Sequence, residues 1–309
     1  MARSSALTGS QGHFRSISLP SRLHPHCGKI EAELNKLKTW EISTGSASPL
    51  NAETIRTGLV GLPELYNRVE ELIRSPVTRQ VILQHQHGVL VEEALEGSIG
   101  LLDSCSMARD FLSLMKESVQ DLQSVLRRKG ADSSTASNLS SYLCCRKKVK
   151  KNITRGLRSL KQIEMKTGPS PLLDRDQDHY LSMMIRVLRE VIGITISVIR
   201  CVLVFLQVPV SKSKAKGWSL ISKLMITRQV AASESGHGKI FNEVGSVDEA
   251  IQSLHGCLRS NNGAKIGVEM ARRRLQALND RTEGLEAGLD CLFRRLIQHR
   301  VSLLNILAH

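Results

Sequence analysis

Apolar residues return along this chain at intervals of three and four, the spacing that lines up one face of an α-helix. Ile30, Leu34 and Leu37 give a first short stripe, which the run STGSASPLN at 43–51 interrupts. From 52 to 126 the pattern is helical throughout, with Pro63 inside it. Ser75-Pro76 marks a fresh start there, proline taking the first helical position and serine the N-cap. One long amphipathic helix is expected over 90–128, its stripe made by Leu101, Leu112, Met115, Val119, Leu122 and Leu126. SSTASN at 133–138 is a linker or the start of a further helix, which runs to about 166 and stops at GPSP.

Residues 176–207 form the most apolar helix, and the stretch VIGITISVIRCVLVFLQV at 191–208 raises the question of a membrane span. Arg200 stands in its middle, where a cation costs about 2.5–3.5 kcal/mol on insertion scales. The stretch is also short for a span, so it is read as a buried central helix. Its β-branched run IGITISVI would suit a strand, but the helical stripe continues unbroken from Leu181 and no partner strand is visible.

After a basic connector at 211–219 and a Gly/Ser-rich stretch to Gly245, Ser246 and Glu249 have the spacing of a capping box that opens a helix. NNG at 261–263 is a turn. Beyond it, positions 268, 275, 282, 289, 296 and 303 alternate with 271, 278, 285, 292, 299 and 306 as a mostly apolar heptad seam. Phe293, Ile297, Val301 and Leu304 widen that stripe, which implies more than one neighbour and an intramolecular bundle.

The fold expected is therefore all-α: an elongated bundle of long amphipathic helices over 28–309 as one domain, ending in an antiparallel helical hairpin at 246–308. Its core is the 176–207 helix packed by the 90–128 helix and the hairpin. Flexible connectors are expected near 43–51, 130–138, 209–219 and 231–245. Residues 1–27, basic and Ser-rich, are read as a disordered tail, with an organellar transit peptide as the alternative.

Composition narrows the chemistry. Of the 309 residues 41% are apolar, enough for a sizeable core. Aromatics are only 3%, too few to stack bases, so nucleic acid is a disfavoured partner. The cysteines at 27, 105, 144, 145, 201, 257 and 291 are scattered and never CxxC, the pattern of reduced thiols in an intracellular protein. A cytoplasmic location is expected, with peripheral-membrane, nuclear and organellar alternatives open.

No HExxH, GxSxG or phosphate-loop spacing is present, and GHGK at 236–239 has no strand before it. His24, His26 and Cys27 lack a fourth ligand at fixed spacing. Asn138 and Asn152 match the glycosylation sequon without a secretory signal to use it. An enzyme is not expected and no cofactor is implied, unless folding gathers dispersed groups such as His179 and Glu190 into a closed pocket.

Charge carries more. Between Arg127 and Lys161 stand eleven Lys or Arg against Asp132 alone, +10 of the chain's +14. Val149, Ile153, Leu157, Leu160 and Ile163 keep helical spacing through this run, so it is a basic amphipathic helix. Its patch is Arg146, Lys147, Lys148, Lys150, Lys151, Arg155, Arg158 and Lys161. An acidic protein, an anionic membrane, the import machinery and nucleic-acid phosphates are the partner classes it would fit, beside the plain reading of a solvated helix back. Arg15-Ser16-Ile17-Ser18-Leu19-Pro20 has the form R-S-x-S-x-P, which phosphoserine-reading 14-3-3 proteins bind once the second serine, Ser18, is phosphorylated.

Three landmarks, HFRSISLPSRLHP near the start, YLCCRKKVKKNITRGLRSLKQIE in the middle and GLEAGLDCLFRRLIQHRVSLLNIL at the end, resemble the plant BYPASS-related family. The resemblance spans essentially the whole chain. It implies a predominantly helical plant protein, linked to root and shoot development, with no established enzymatic activity. Cys144-Cys145 departs from the charged or small polar residues expected at that point in relatives.

Overall fold

A computed structural model describes residues 25–45, 50–84, 88–130, 132, 134–167, 179–207, 242–260 and 264–307. Eight helices account for nearly all of them, and no strand occurs among the described residues. They are α1 (Pro25–Thr44), α2 (Ala52–Ile73), α3 (Pro76–Gln84), α4 (Gly88–Lys129), α5 (Thr135–Lys166), α6 (His179–Gln207), α7 (Glu243–Ser260) and α8 (Ala264–Leu307). Buried apolar residues from Cys27 to Ile306 form one continuous cluster, so the all-α bundle is built around a single core.

Local chemistry sets the helix starts. Asn51 caps α2, its side-chain oxygen accepting from the Thr54 amide at 2.8 Å. Ser75 caps α3 in the same way, its Oγ accepting from the Thr78 amide at 3.2 Å, with Pro76 first in the helix as expected. Pro63 lies inside α2 without ending it, because Leu59, Leu62, Leu65 and Tyr66 around it are all buried. The helix expected from Ser246 starts earlier. Asn242 is its cap, accepting from the Gly245 amide at 2.8 Å, and α7 runs from Glu243. Ser246 and Glu249 form no capping box: both bond Arg274 of α8 instead. Of the two readings of 133–138, the helix start holds, residues 135–138 being the first turn of α5, and α1 continues to Thr44.

Helix α6 stays helical through its β-branched run, with Ile194, Ile196, Val198, Ile199 and Val202 buried. No described helix is long and apolar enough to cross a membrane. Arg200 leaves the apolar surface for Glu164, at 2.6 Å.

α6 packs against α1, α2, α4 and α5, while α8 packs against α2, α4 and α7. The C-terminal hairpin thus stands across α2 and α4 from α6, in place of the direct packing expected from the sequence. α2 and α4 mediate between them, and α6 meets the hairpin where Asn242 donates to the Phe205 carbonyl at 3.0 Å. α8 runs antiparallel to α4, as Arg109–Asp290 at 2.6 Å and Lys116–Glu286 at 2.5 Å fix.

The whole heptad seam of α8 is buried, including its polar members Thr282 and His299. The widening of that stripe is a different matter. Phe293 packs against the core under the Arg109 guanidinium, 4.7 Å from the ring centre, but Ile297, Val301 and Leu304 are exposed. α2 and α4 both lie on the seam side, and no described helix covers the outer turns.

The crossing of α1 and α2 is close enough to need glycine. A Cβ built on Gly58 would stand 2.5 Å from the Trp40 ring, which Nε1 anchors to the Thr54 carbonyl at 2.7 Å. Gly58→Ala is therefore expected to destabilise by about 1–3 kcal/mol despite alanine's better helix propensity, as measured by denaturant unfolding.

Candidate interaction surface

Helix α5 carries the basic run, and its helical phase divides the cations into two groups. Tyr142, Arg146, Val149, Ile153 and Leu160 lie on the inner face, all buried. Arg146, assigned to the outer patch because it is charged, is 3% exposed. Its Nε and Nη2 grip the Asp248 carboxylate of α7 at 2.8 and 3.0 Å, and Nη1 donates to the Leu206 carbonyl in the last turn of α6 at 2.9 Å. Tyr142 and Lys150 complete the shell, donating to Asp248 at 3.1 Å each. Lys150 therefore also leaves the expected patch, half-buried beside Asp248.

Burial penalises every ion in this cluster, and mutual pairing outweighs the penalty for two of them. Desolvation pushes the Asp248 carboxyl up, but the bidentate Arg146 and the Lys150 charge hold it below its usual value. Arg146 is driven down by burial and lifted further by Asp248, ending above its usual value. For Lys150 burial wins and its ammonium is held below the ordinary lysine value. Tyr142 is raised well above the usual phenol by burial and the adjacent carboxylate. The cluster is a lock joining α5, α6 and α7. Its sequence signal was phase: Arg146 follows Tyr142 by four residues and precedes Ile153 by seven, so it belongs to the buried stripe.

The other predicted cations do face out. Lys147, Lys148, Lys151, Arg155, Arg158 and Lys161 are exposed, and none forms an ion pair among the described residues. The only acid in α5, Glu164, is taken up by Arg200. Cys144 is exposed on the same helix, while Cys145 accepts from Ser118 of α4 at 3.2 Å.

The remaining candidates are scattered or spent. Arg15, Ser16, Ser18 and Pro20 lie outside the described residues, as do the side chains of His24, His26 and His179. Cys27 points into the core, its Sγ donating to Met183 Sδ at 3.1 Å. Glu190 pairs with Lys38 at 2.9 Å on the surface. No group of three His, Cys, Asp or Glu side chains among the described residues would hold a metal. No disulfide joins the cysteines, and burial pushes the Cys105 and Cys201 thiols up to about 12 and about 11, keeping them protonated.

Fold and surface together define an all-α bundle that presents, on one outer helix, a row of exposed cations without acidic partners among the described residues. The family model for Protein BPS1 matches residues 58–306, and the chain belongs to that family. The BYPASS resemblance was correct, and a role in plant development comes with the membership. No curated protein and no solved structure matches the chain.

Proposed function

We propose that this chain acts in plant root and shoot development as a noncatalytic interaction protein, with the outer face of α5 as its contact surface. The supporting observation is the row Lys147, Lys148, Lys151, Arg155 and Arg158, exposed and without acidic partners among the described residues. Unpaired surface cations contribute little to folding and are available to a polyanionic partner. A phosphorylated Ser18, flanked by Arg15, Ser16 and Pro20, supplies a second contact for a phosphoserine-reading protein.

The test is rescue of a plant lacking the protein by the variant with all five cations of the row changed to Glu. The variant should keep the helical circular dichroism and melting temperature of the parent, because the positions are solvent-facing, and should fail to rescue. Full rescue by the folded variant would remove α5 as the contact surface.

A further inference from the structure

The outer face of α5 restricts what it can meet. At 100° per residue, Cys144, Lys147, Lys148, Lys151, Arg155, Arg158, Gln162 and Met165 share one side of the helix, opposite the buried Tyr142, Val149, Ile153 and Leu160. All eight are exposed. Lys147, Lys151 and Arg155 follow one another at one-turn spacing, about 6 Å apart along the axis. At the end of the row stands Met165, 73% exposed.

A tight protein partner finds little here. Interface energy concentrates in aromatic and arginine anchors seated in desolvated pockets, and between Cys144 and Met165 this face has no aromatic, while its two arginines, Arg155 and Arg158, stand among other exposed cations. A nucleic-acid strand would meet no aromatic to stack on, and a duplex would satisfy the cations but leave Met165 without a role. An anionic bilayer meets both features. Its headgroups diffuse laterally, so they gather under the cations without any fixed match of spacing, and its interface accepts an apolar side chain such as Met165.

We infer that the outer face of α5 docks the protein on an anionic phospholipid surface, peripherally, with the helix axis along the plane of the bilayer. The inference rests on the reading of α5 as the contact surface and names the partner. Phosphate headgroups are the ligand, Lys147, Lys148, Lys151, Arg155 and Arg158 bind them, and Met165 enters the interfacial layer.

The test is flotation of the full chain with vesicles of phosphatidylcholine alone and of phosphatidylcholine mixed with phosphatidylserine. Binding is expected on the mixed vesicles only, and high salt should release it. The five-site Glu variant should bind at least about a thousandfold more weakly and so fail to float, since each of the five cations near the surface contributes about a factor of five. Met165→Ser, which removes no charge, should weaken binding severalfold. Failure to float on the anionic vesicles, equal binding to the neutral ones, or full binding by the folded five-site variant would overturn the inference. So would tighter binding to duplex DNA, lost in the same variant. If the variant fails to rescue the plant while the parent never floats, α5 remains the contact surface and only the bilayer is wrong.

Discussion

Asp248→Ala should destabilise the protein by about 3–5 kcal/mol, because it strands the Arg146 guanidinium in the interior with no counter-charge. The expectation follows from how completely Asp248 is used: it accepts from Arg146 Nε and Nη2, Tyr142 Oη and Lys150 Nζ. Arg146→Ala should cost a similar amount, now leaving the carboxylate with Tyr142 and Lys150 alone. The informative variant is the double replacement Arg146→Met with Asp248→Leu. Removing both charges together should recover most of the loss, since a buried ion pair and a well-packed apolar pair of similar volume are often equally stable. Urea unfolding of the two single variants and the double would supply the cycle, and strict additivity would contradict the coupling. Lys150 is left over in the double variant, but its side chain is 20% exposed and can turn its ammonium to water.

The second large effect is a dependence on pH from one residue. His299 occupies a seam position of α8, 8% exposed, with its ring edge-on to Tyr66 at 5.4 Å between centroids and its Nδ1 without a hydrogen-bond partner. Burial lowers its pKa from the ordinary 6.5 to about 4. The unfolded chain therefore takes up a proton that the folded chain refuses as the pH falls. Stability from this group is complete above about 6.5 and is lost as the pH drops toward 4, by roughly 3 kcal/mol in all. Nearby polar groups offer the imidazolium little relief: the Tyr66 hydroxyl is bonded to Thr195, Ser302 is bonded to Glu70 and Arg300 donates to the Leu95 carbonyl. His299→Leu should keep the fold at neutral pH and flatten the decline between pH 6.5 and 4.5, read as the difference between parent and variant unfolding free energies across that range. A variant whose decline parallels the parent's would show that His299 is not its source.

Much of this fold was legible from spacing alone, and the exceptions share a physical origin. Every seam position of α8 named by the heptad rule is buried, His299 and Thr282 included, because a two-sided groove between α2 and α4 imposes one narrow stripe, with Ser302 buried beside it. It overreached at Ile297, Val301 and Leu304. An apolar residue beside a seam looks the same in sequence whether or not a further helix covers it. The capping box at Ser246 failed because a second signal, Asn242, stood one turn earlier, and the chain used Ser246 and Glu249 to hold Arg274. Of the partners expected for α6, α4 does pack against it, while the hairpin stands across α2 and α4 because spacing carries no signal for which long helix lies between two others.

Arg146 shows the same limit at the candidate site. Charge assigns a residue to solvent, whereas helical phase puts Arg146 among Tyr142, Val149 and Ile153. Its carboxylate partner lies 102 residues away in sequence, so the pairing that makes burial tolerable could not be read locally. Lys147, Lys148, Lys151, Arg155, Arg158 and Lys161 satisfy both rules and are exposed.

The contact between Asn242 and the Phe205 carbonyl brings the end of α6 and the start of α7 to one corner of the bundle. The last turn of α6 and the cap of α7 thus lie side by side. Lengthening a flexible connection between two such neighbouring ends costs little, about 0.6 kcal/mol for each doubling. That corner is therefore where descendants of this chain are freest to gain or shed sequence, and where evolution could graft a new module without redesigning the helices on either side.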